Sequence, residues 1–299
     1  MFRHLLVPLD GSRLAEAALV PTAALARRLG ARVTLLHVLE RAAPQTVHGE
    51  RHLTRAEDAE VYLRAAAATL ESGGMTVERI VDGEMTDVAR TIASRAASLH
   101  ADLIVICTHG EGGFRELLFG SVAQQVLGGG AIPVLLVHPT AGPPQPFVCR
   151  TILVPLDQTA PSEAALPAAA SLARALTAVI VLSHVVPTVT TMPGERGAAA
   201  TLMPTAAAAM LDAEVERAAG YLQNLIPRLT GDGVDAQARV ERGEPVQALL
   251  ALVDARQVDL VVMATHARAG MAAVWTGSVA ARFLPRVSVP VLLVRTPAD

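Results

Sequence analysis

Three short clusters in this chain combine residue types suited to holding an anion and a polar ring. Asp10-Gly11-Ser12 supplies a carboxylate, a permissive backbone position and a hydroxyl. Thr108-His109-Gly110 opens a glycine-bearing loop that runs through Gly113, and Gly120-Ser121 begins a helix over Val122–Leu127. Glycine lets the backbone approach a phosphate closely and take positive φ. The N–H groups at a helix N-terminus, with a serine hydroxyl beside them, favour an anion. Each cluster also has a structural reading: Gly-Ser before a helix is an ordinary cap, and Asp10 can cap Ser12 and the helix after it. His109 and His266 face a ligand or the core with equal claim. His37 and His184 lie inside apolar runs and are expected to be hydrogen-bonded core residues. His48 and His52, at i,i+4 near Glu50, fit a solvated helix start better than a metal site. Cys107 reads as a small apolar strand residue rather than a reactive thiol.

The elements that carry these clusters occur twice. Arg3–Asp10 (R-H-L-L-V-P-L-D) recurs as Arg150–Asp157 (R-T-I-L-V-P-L-D). T-H-G, nine residues and G-S-V-A (Thr108 to Ala123) recurs as T-H-A, nine residues and G-S-V-A (Thr265 to Ala280). Both copies end in Pro-Val-Leu-Leu-Val, at Pro133–Val137 and Pro290–Val294. In the first copy Leu5–Leu9, Val33–Leu39, Leu103–Cys107 and Pro133–Val137 are nearly continuous apolar runs. Such runs indicate parallel strands covered on both faces. A weaker strand is expected over Thr76–Val81, and helices over Leu14–Leu29 (stopped by Gly30), Ala56–Leu70 and Thr86–Leu99. The order β-α-β-α-β-α-β-α-β predicts a doubly wound α/β layer, present twice. Domains are expected over 1–140 and 150–299, joined by a Pro-rich linker over 141–149. An insertion in the second copy falls within Pro187–Thr205 and reads as an exposed loop, ordered only if it packs on something.

Composition narrows the chemistry. A chain of 299 residues that is 52% hydrophobic can build two cores, and with 3% aromatic residues it must pack them with Ala, Leu and Val. A net charge of −3 without a basic block argues against nucleic acid as the main partner. All 25 basic residues are arginine, which excludes a Walker lysine and a Schiff-base lysine. Two cysteines give no disulfide framework. With no signal region and no long apolar span, no membrane association is expected, and the cytoplasm is the expected compartment.

In an open α/β sheet, ligands bind beyond the carboxyl ends of the strands, where the strand order reverses. The clusters fall at such ends: Asp10 after strand 1, Val38 closing strand 2, and Thr108 after strand 4. Val-Pro-Leu-Asp-Gly-Ser, Leu-Leu-His-Val, Asp-Leu-Ile-Val-Ile and the T-H-G to G-S-V-A segment together resemble the universal stress protein family, along both halves. The resemblance implies a five-stranded parallel sheet in each domain, ordered 3-2-1-4-5. It further implies a site for ATP or AMP, with Mg2+ as a candidate counter-ion, in members carrying G-2x-G-9x-G-(S/T). The first copy reads Cys107, Gly110, Gly120 and Ser121 at those positions; the second reads Ala264, Ala267, Gly277 and Ser278.

By the same resemblance, adenine and ribose contacts fall on Pro8, Asp10 and Val38 in the first copy and on Pro155, Asp157 and Val185 in the second. Phosphate contacts fall on Gly110, Gly113, Gly120, Ser121 and Val122, and on Gly277, Ser278 and Val279. Alanine in place of a positive-φ glycine costs on the order of 1 kcal/mol, so binding is expected mainly in the first copy. The same departures leave open a stress scaffold that binds no nucleotide. Turnover is not expected. His109 is the one candidate acid–base group for a weak ATPase. Family members pair through strand 5, so the two Pro-Val-Leu-Leu-Val strands are expected to make an intrachain pseudo-dimer, and whole chains to be capable of forming a homodimer.

Overall fold

The computed structural model describes residues 1–41, 45–47, 49–108, 121–139, 145–192, 194, 200, 202–265 and 278–296. They fall into two compact units. The first comprises Met1–Val148 and the segment from Ser288 onward; the second comprises Cys149–Thr265 and residues 278–287. Residues 109–120 and 266–277, which carry Gly110, Gly113, Gly120 and Gly277, lie outside the described residues.

In the first unit the chain runs β1 (His4–Pro8), α1 (Arg13–Glu16), α2 (Leu19–Leu29), β2 (Arg32–Glu40), β3 (Thr46–Val47), β4 (Glu50–Arg51), α3 (Ala56–Glu71), β5 (Val77–Met85), α4 (Val88–Ser98), β6 (Leu103–Cys107), α5 (Ser121–Gly129) and β7 (Val134–Val137). The main strands pair in parallel in the order β5-β2-β1-β6-β7. The chain therefore winds outward from β1 through β2 and β5, returns to β6 on the other side of β1, and leaves a crevice where the winding reverses. β1, β6 and β7 are buried almost throughout, as strands covered on both faces must be.

The second unit runs β8 (Thr151–Pro155), α6 (Ala160–Glu163), α7 (Leu166–Leu176), β9 (Val179–Val186), α8 (Pro204–Gly231), β10 (Ala236–Arg242), α9 (Pro245–Ala255), β11 (Leu260–Thr265) and α10 (Val279–Phe283). Its strands are ordered β10-β9-β8-β11, in parallel. The last strand, β12 (Val291–Arg295), belongs to the first unit. There it runs antiparallel to β7, with Val291 opposite Leu136 and Leu293 opposite Val134.

Three local expectations are corrected. Leu14–Leu29 is not one helix but two, α1 and α2, because Pro21 has no N–H to return to Ala17. The break is bridged by i→i−3 bonds from Ala17 N to Leu14 O and from Ala18 N to Ala15 O, both 3.1 Å. The second unit repeats the break between α6 and α7, beside Pro167. His52 does not stand on a solvated helix start. Thr46–Val47 and Glu50–Arg51 pair antiparallel as the β3–β4 hairpin, with Gly49 at φ +79, and His52 is buried. His48 lies outside the described residues. The insertion is not wholly an exposed loop, since Thr188–Thr191 close a tight turn and Val189 and Met192 pack on Val186 and Leu211.

Other tertiary devices recur in both units. Asp102 accepts from Arg3 N at 2.8 Å and His4 N at 3.1 Å, and Asp259 accepts from Arg150 N and Thr151 N at 2.7 and 2.9 Å. Each carboxylate fastens the start of a first strand. Both tyrosines of the chain reach back to a first short helix: the Tyr62 hydroxyl donates to Ser12 O at 3.5 Å, and the Tyr221 hydroxyl donates to Glu163 at 3.0 Å.

Candidate functional site

β1 ends at Pro8, and Leu9 N continues the ladder to Leu36 O at 2.8 Å. The chain then turns sharply. One Asp10 oxygen accepts from Ser12 N at 2.9 Å and Ser12 Oγ at 2.6 Å, while Ser12 Oγ caps α1 by accepting from Ala15 N at 3.2 Å. Gly11 sits at φ +93, and a Cβ there would lie 2.8 Å from Leu53 Cδ1. The turn thus needs glycine twice over, for its backbone and for the neighbour that crosses it. The result is a carboxylate fixed at the mouth of the crevice between β1 and β6.

A cavity of about 130 Å3 opens at this point. Pro8, Asp10, Val38 and Val122, all singled out from the sequence, line it. Its apolar wall is made by residues such as Leu36, Ile92 and Ile106. Ser121 opens α5, the helix whose first turn contributes Val122.

Thr108, expected at the end of strand 4, lines the cavity too, as do Glu40 and His52, which were not assigned to the site from the sequence. Glu40 lies two residues beyond Val38 on β2, where the pairing with β5 shifts register, so a simple period-2 reading does not place it. No local pattern marks His52. It arrives because the β3–β4 hairpin is docked across the strand ends: Arg13 N donates to Glu50 at 2.9 Å, and Leu53 covers Gly11. His37 is buried as expected, with Nδ1–H donating to Leu9 O at 2.7 Å, and it also forms part of the cavity wall.

Burial dominates the electrostatics around the cavity. Burial, reinforced by the Asp10 charge, pushes the Cys107 thiol up to about 12, so at neutral pH it is a protonated thiol. Burial and the nearby Glu50 raise the Glu16 carboxyl. Burial lowers His138, whose Nδ1 lies 2.9 Å from Thr108 Oγ1, and that hydroxyl donates to Val137 O at 3.2 Å. His52 is 5% exposed, and among the described residues its Nδ1 has no hydrogen-bond partner. Leaving a buried polar atom unpaired costs about 1–3 kcal/mol.

The second unit repeats the turn with two changes, Gln158 for Gly11 and Thr159 for Ser12. Asp157 accepts from Thr159 N at 3.0 Å and Thr159 Oγ1 at 2.5 Å. In place of glycine stands Gln158 at φ +65, whose amide lies 3.1 Å from His184 Nε2. His184 Nδ1–H donates to Leu156 O at 2.8 Å, so the glutamine closes off the second ring nitrogen. Pro155 ends β8 and Val185 lies near the end of β9, as placed from the sequence. Ser278 accepts from Ala281 N at 3.1 Å as the cap of the five-residue α10, which begins at Val279. Among the described residues no group of His, Cys, Asp and Glu side chains is placed to hold a metal, and no helix is long and apolar enough to cross a membrane.

Comparison with known proteins agrees with the doubled architecture. The model of the universal stress protein family matches residues 1–138 and again residues 149–295. A universal stress protein of Mycolicibacterium smegmatis is 30% identical over 302 residues, covering 97% of this chain and 96% of its own. A universal stress protein of Thermus aquaticus is 34% identical over 146 residues, all of its length and 46% of this chain. In fold, the crystal structure of a universal stress protein from Archaeoglobus fulgidus superposes with a TM-score of 0.71 over 99% of this chain and 97% of its own, at 19% identity.

Proposed function

The chain belongs to the universal stress protein family as a tandem of its domains, and on that footing we propose that it binds an adenine nucleotide, ATP or AMP, mainly in its first repeat, as part of a stress response. The observation that carries this is the convergence of Pro8, Asp10, Val38 and Val122 on one cavity at the point where the strand winding reverses. Whole-ligand pockets typically run from about 300 to 1,000 Å3, so a space of about 130 Å3 suits the base of a nucleotide better than the entire molecule. Backbone groups of Val38 would meet the base and Asp10 the ribose hydroxyls. The N–H groups opening α5 at Ser121 and Val122, with Gly110, Gly113 and Gly120, would hold the phosphates, and Mg2+ would serve as their counter-ion.

In the second repeat, Pro155, Asp157, Val185, Gly277, Ser278 and Val279 form at most a weaker site. Gln158 replaces the turn glycine, and Ser278 Oγ is engaged in capping α10. The antiparallel pairing of β7 with β12 supports an intrachain pseudo-dimer built from the two family-type fifth strands.

Calorimetric titration with ATP and with AMP is expected to show one principal site, lost in Asp10→Ala. No heat and no thermal shift at millimolar nucleotide would overturn the proposal. A second reading, a scaffold that binds no nucleotide, is favoured by Cys107 and Ala264 standing where binding members carry glycine. Small molecules released on denaturing the purified protein separate the two readings: copurified nucleotide supports binding, and an empty protein supports the scaffold.

A further inference from the structure

We propose that His52 is a specificity-determining residue of the first-repeat cavity, accepting a hydrogen bond from the exocyclic amino group of the bound base, with Glu40 fixing the imidazole in its accepting tautomer. The proposal rests on the nucleotide reading above and adds to it the residue that reads the base.

Three observations lead there. His52 lines the cavity although it lies on neither a main strand nor a helix. The hairpin that delivers it is fastened at several points, by the bond from Arg13 N to Glu50 at 2.9 Å, by Leu53 over Gly11 and by the bond from His52 N to Gln45 O at 3.1 Å. The imidazole is 5% exposed, yet among the described residues its Nδ1 has no partner. Buried polar atoms in folded proteins are nearly always paired, so an unpaired one beside a cavity calls for a partner from outside the chain.

The chemistry of that partner follows from Glu40. Its carboxylate lies 3.9 Å from His52 Nε2, and Glu40 is a lining residue of the same cavity. A carboxylate only accepts, so its field favours the proton on Nε2, leaving Nδ1 with a lone pair. Nδ1 and the carboxylate of Glu40 are then both acceptors, on two residues that line the cavity. An amino group on the base satisfies them; a 6-oxo group sets its own lone pairs against them, and a 6-hydrogen leaves them unpaired. Discrimination is strongest where a site would otherwise keep a buried polar group unsatisfied.

The experiment is calorimetric titration of the full chain with AMP, inosine monophosphate and purine riboside monophosphate, for wild type, His52→Phe and Glu40→Gln. Far-UV circular dichroism and thermal unfolding verify that each variant is folded. Wild type is expected to prefer AMP over both analogues by about tenfold, the worth of one such hydrogen bond. His52→Phe is expected to reduce that preference to within about twofold, mainly by weakening AMP, and Glu40→Gln to reduce it in part. An unchanged preference in His52→Phe overturns the assignment, as does equal weakening of all three ligands, which would mark His52 as a residue that merely docks the hairpin. Wild type that binds all three equally overturns the assignment while leaving nucleotide binding intact. Wild type that binds none overturns both.

Discussion

Gly11 and Gln158 occupy the same turn in the two repeats, both at positive φ, and solve it differently. At Gly11 a side chain is barred by φ +93 and by Leu53, whose Cδ1 would lie 2.8 Å from an added Cβ. Gly11→Ala should therefore cost about 1–3 kcal/mol in chemical denaturation. Gly11→Ala/Leu53→Ala should remove the clash and keep the conformational cost. At Gln158 the strain is offset by the amide contact with His184, so Gln158→Gly should leave stability within about 1 kcal/mol of wild type.

The cysteines give a second residue-scale prediction. Burial raises both Cys107 and Cys149 from an ordinary 9.0 to about 12. Below pH 9 both states of the chain hold these protons. From pH 9 to 12 the unfolded chain releases protons that the native thiols retain, so stability falls as pH rises. Replacing both cysteines with alanine should flatten the stability profile between pH 9 and 10, below the ordinary tyrosine value of 10.0. A profile identical to wild type would show that the thiols are less buried than their positions in β6 and before β8 imply.

At the scale of elements, α5 matters most, because the proposed phosphate contacts lie at its start while its end is held from far along the chain. Arg295, on β12, donates to Gly130 O and, at 3.4 Å, to Gly128 O, at the carboxyl end of α5. A cation there satisfies terminal carbonyls and complements the helix dipole. Arg295→Leu should speed hydrogen exchange at Val126 and Leu127 and weaken nucleotide binding severalfold, while leaving amides of β1 unchanged. Equal exchange at Val126 and Leu127 would show that α5 is held by packing alone. Elements are also where local patterns mislead. Pro21 stands inside an otherwise helical pattern, and it divides α1 from α2 because a missing N–H outweighs the apolar stripe. The β3–β4 hairpin was missed because two-residue strands carry no periodicity to read.

At the scale of the whole molecule, the doubling leaves the last strand of the chain paired with the last strand of the first repeat. β7 is Val-Leu-Leu-Val, buried at every position, and without β12 its outer edge would be an apolar template for another chain. A chain ending at Val287 should therefore self-associate in size-exclusion chromatography at concentrations where the full chain does not. A truncated chain that stays monomeric would show that the edge is protected by other means.

The sequence by itself determined the tandem family fold, the parallel strands and the turn around Asp10. Those follow from rules that act over a few residues: apolar runs, glycine and proline, and one pattern written twice. Only the tertiary structure decided which distant residues share a wall. Glu40 and His52 meet because a hairpin is pinned by Glu50 to Arg13 and by Leu53 to Gly11, and Arg295 reaches α5 because β12 adds to β7. Contacts of that range depend on how buried surfaces fit once the chain has folded, and short-range patterns in a single sequence carry no record of them.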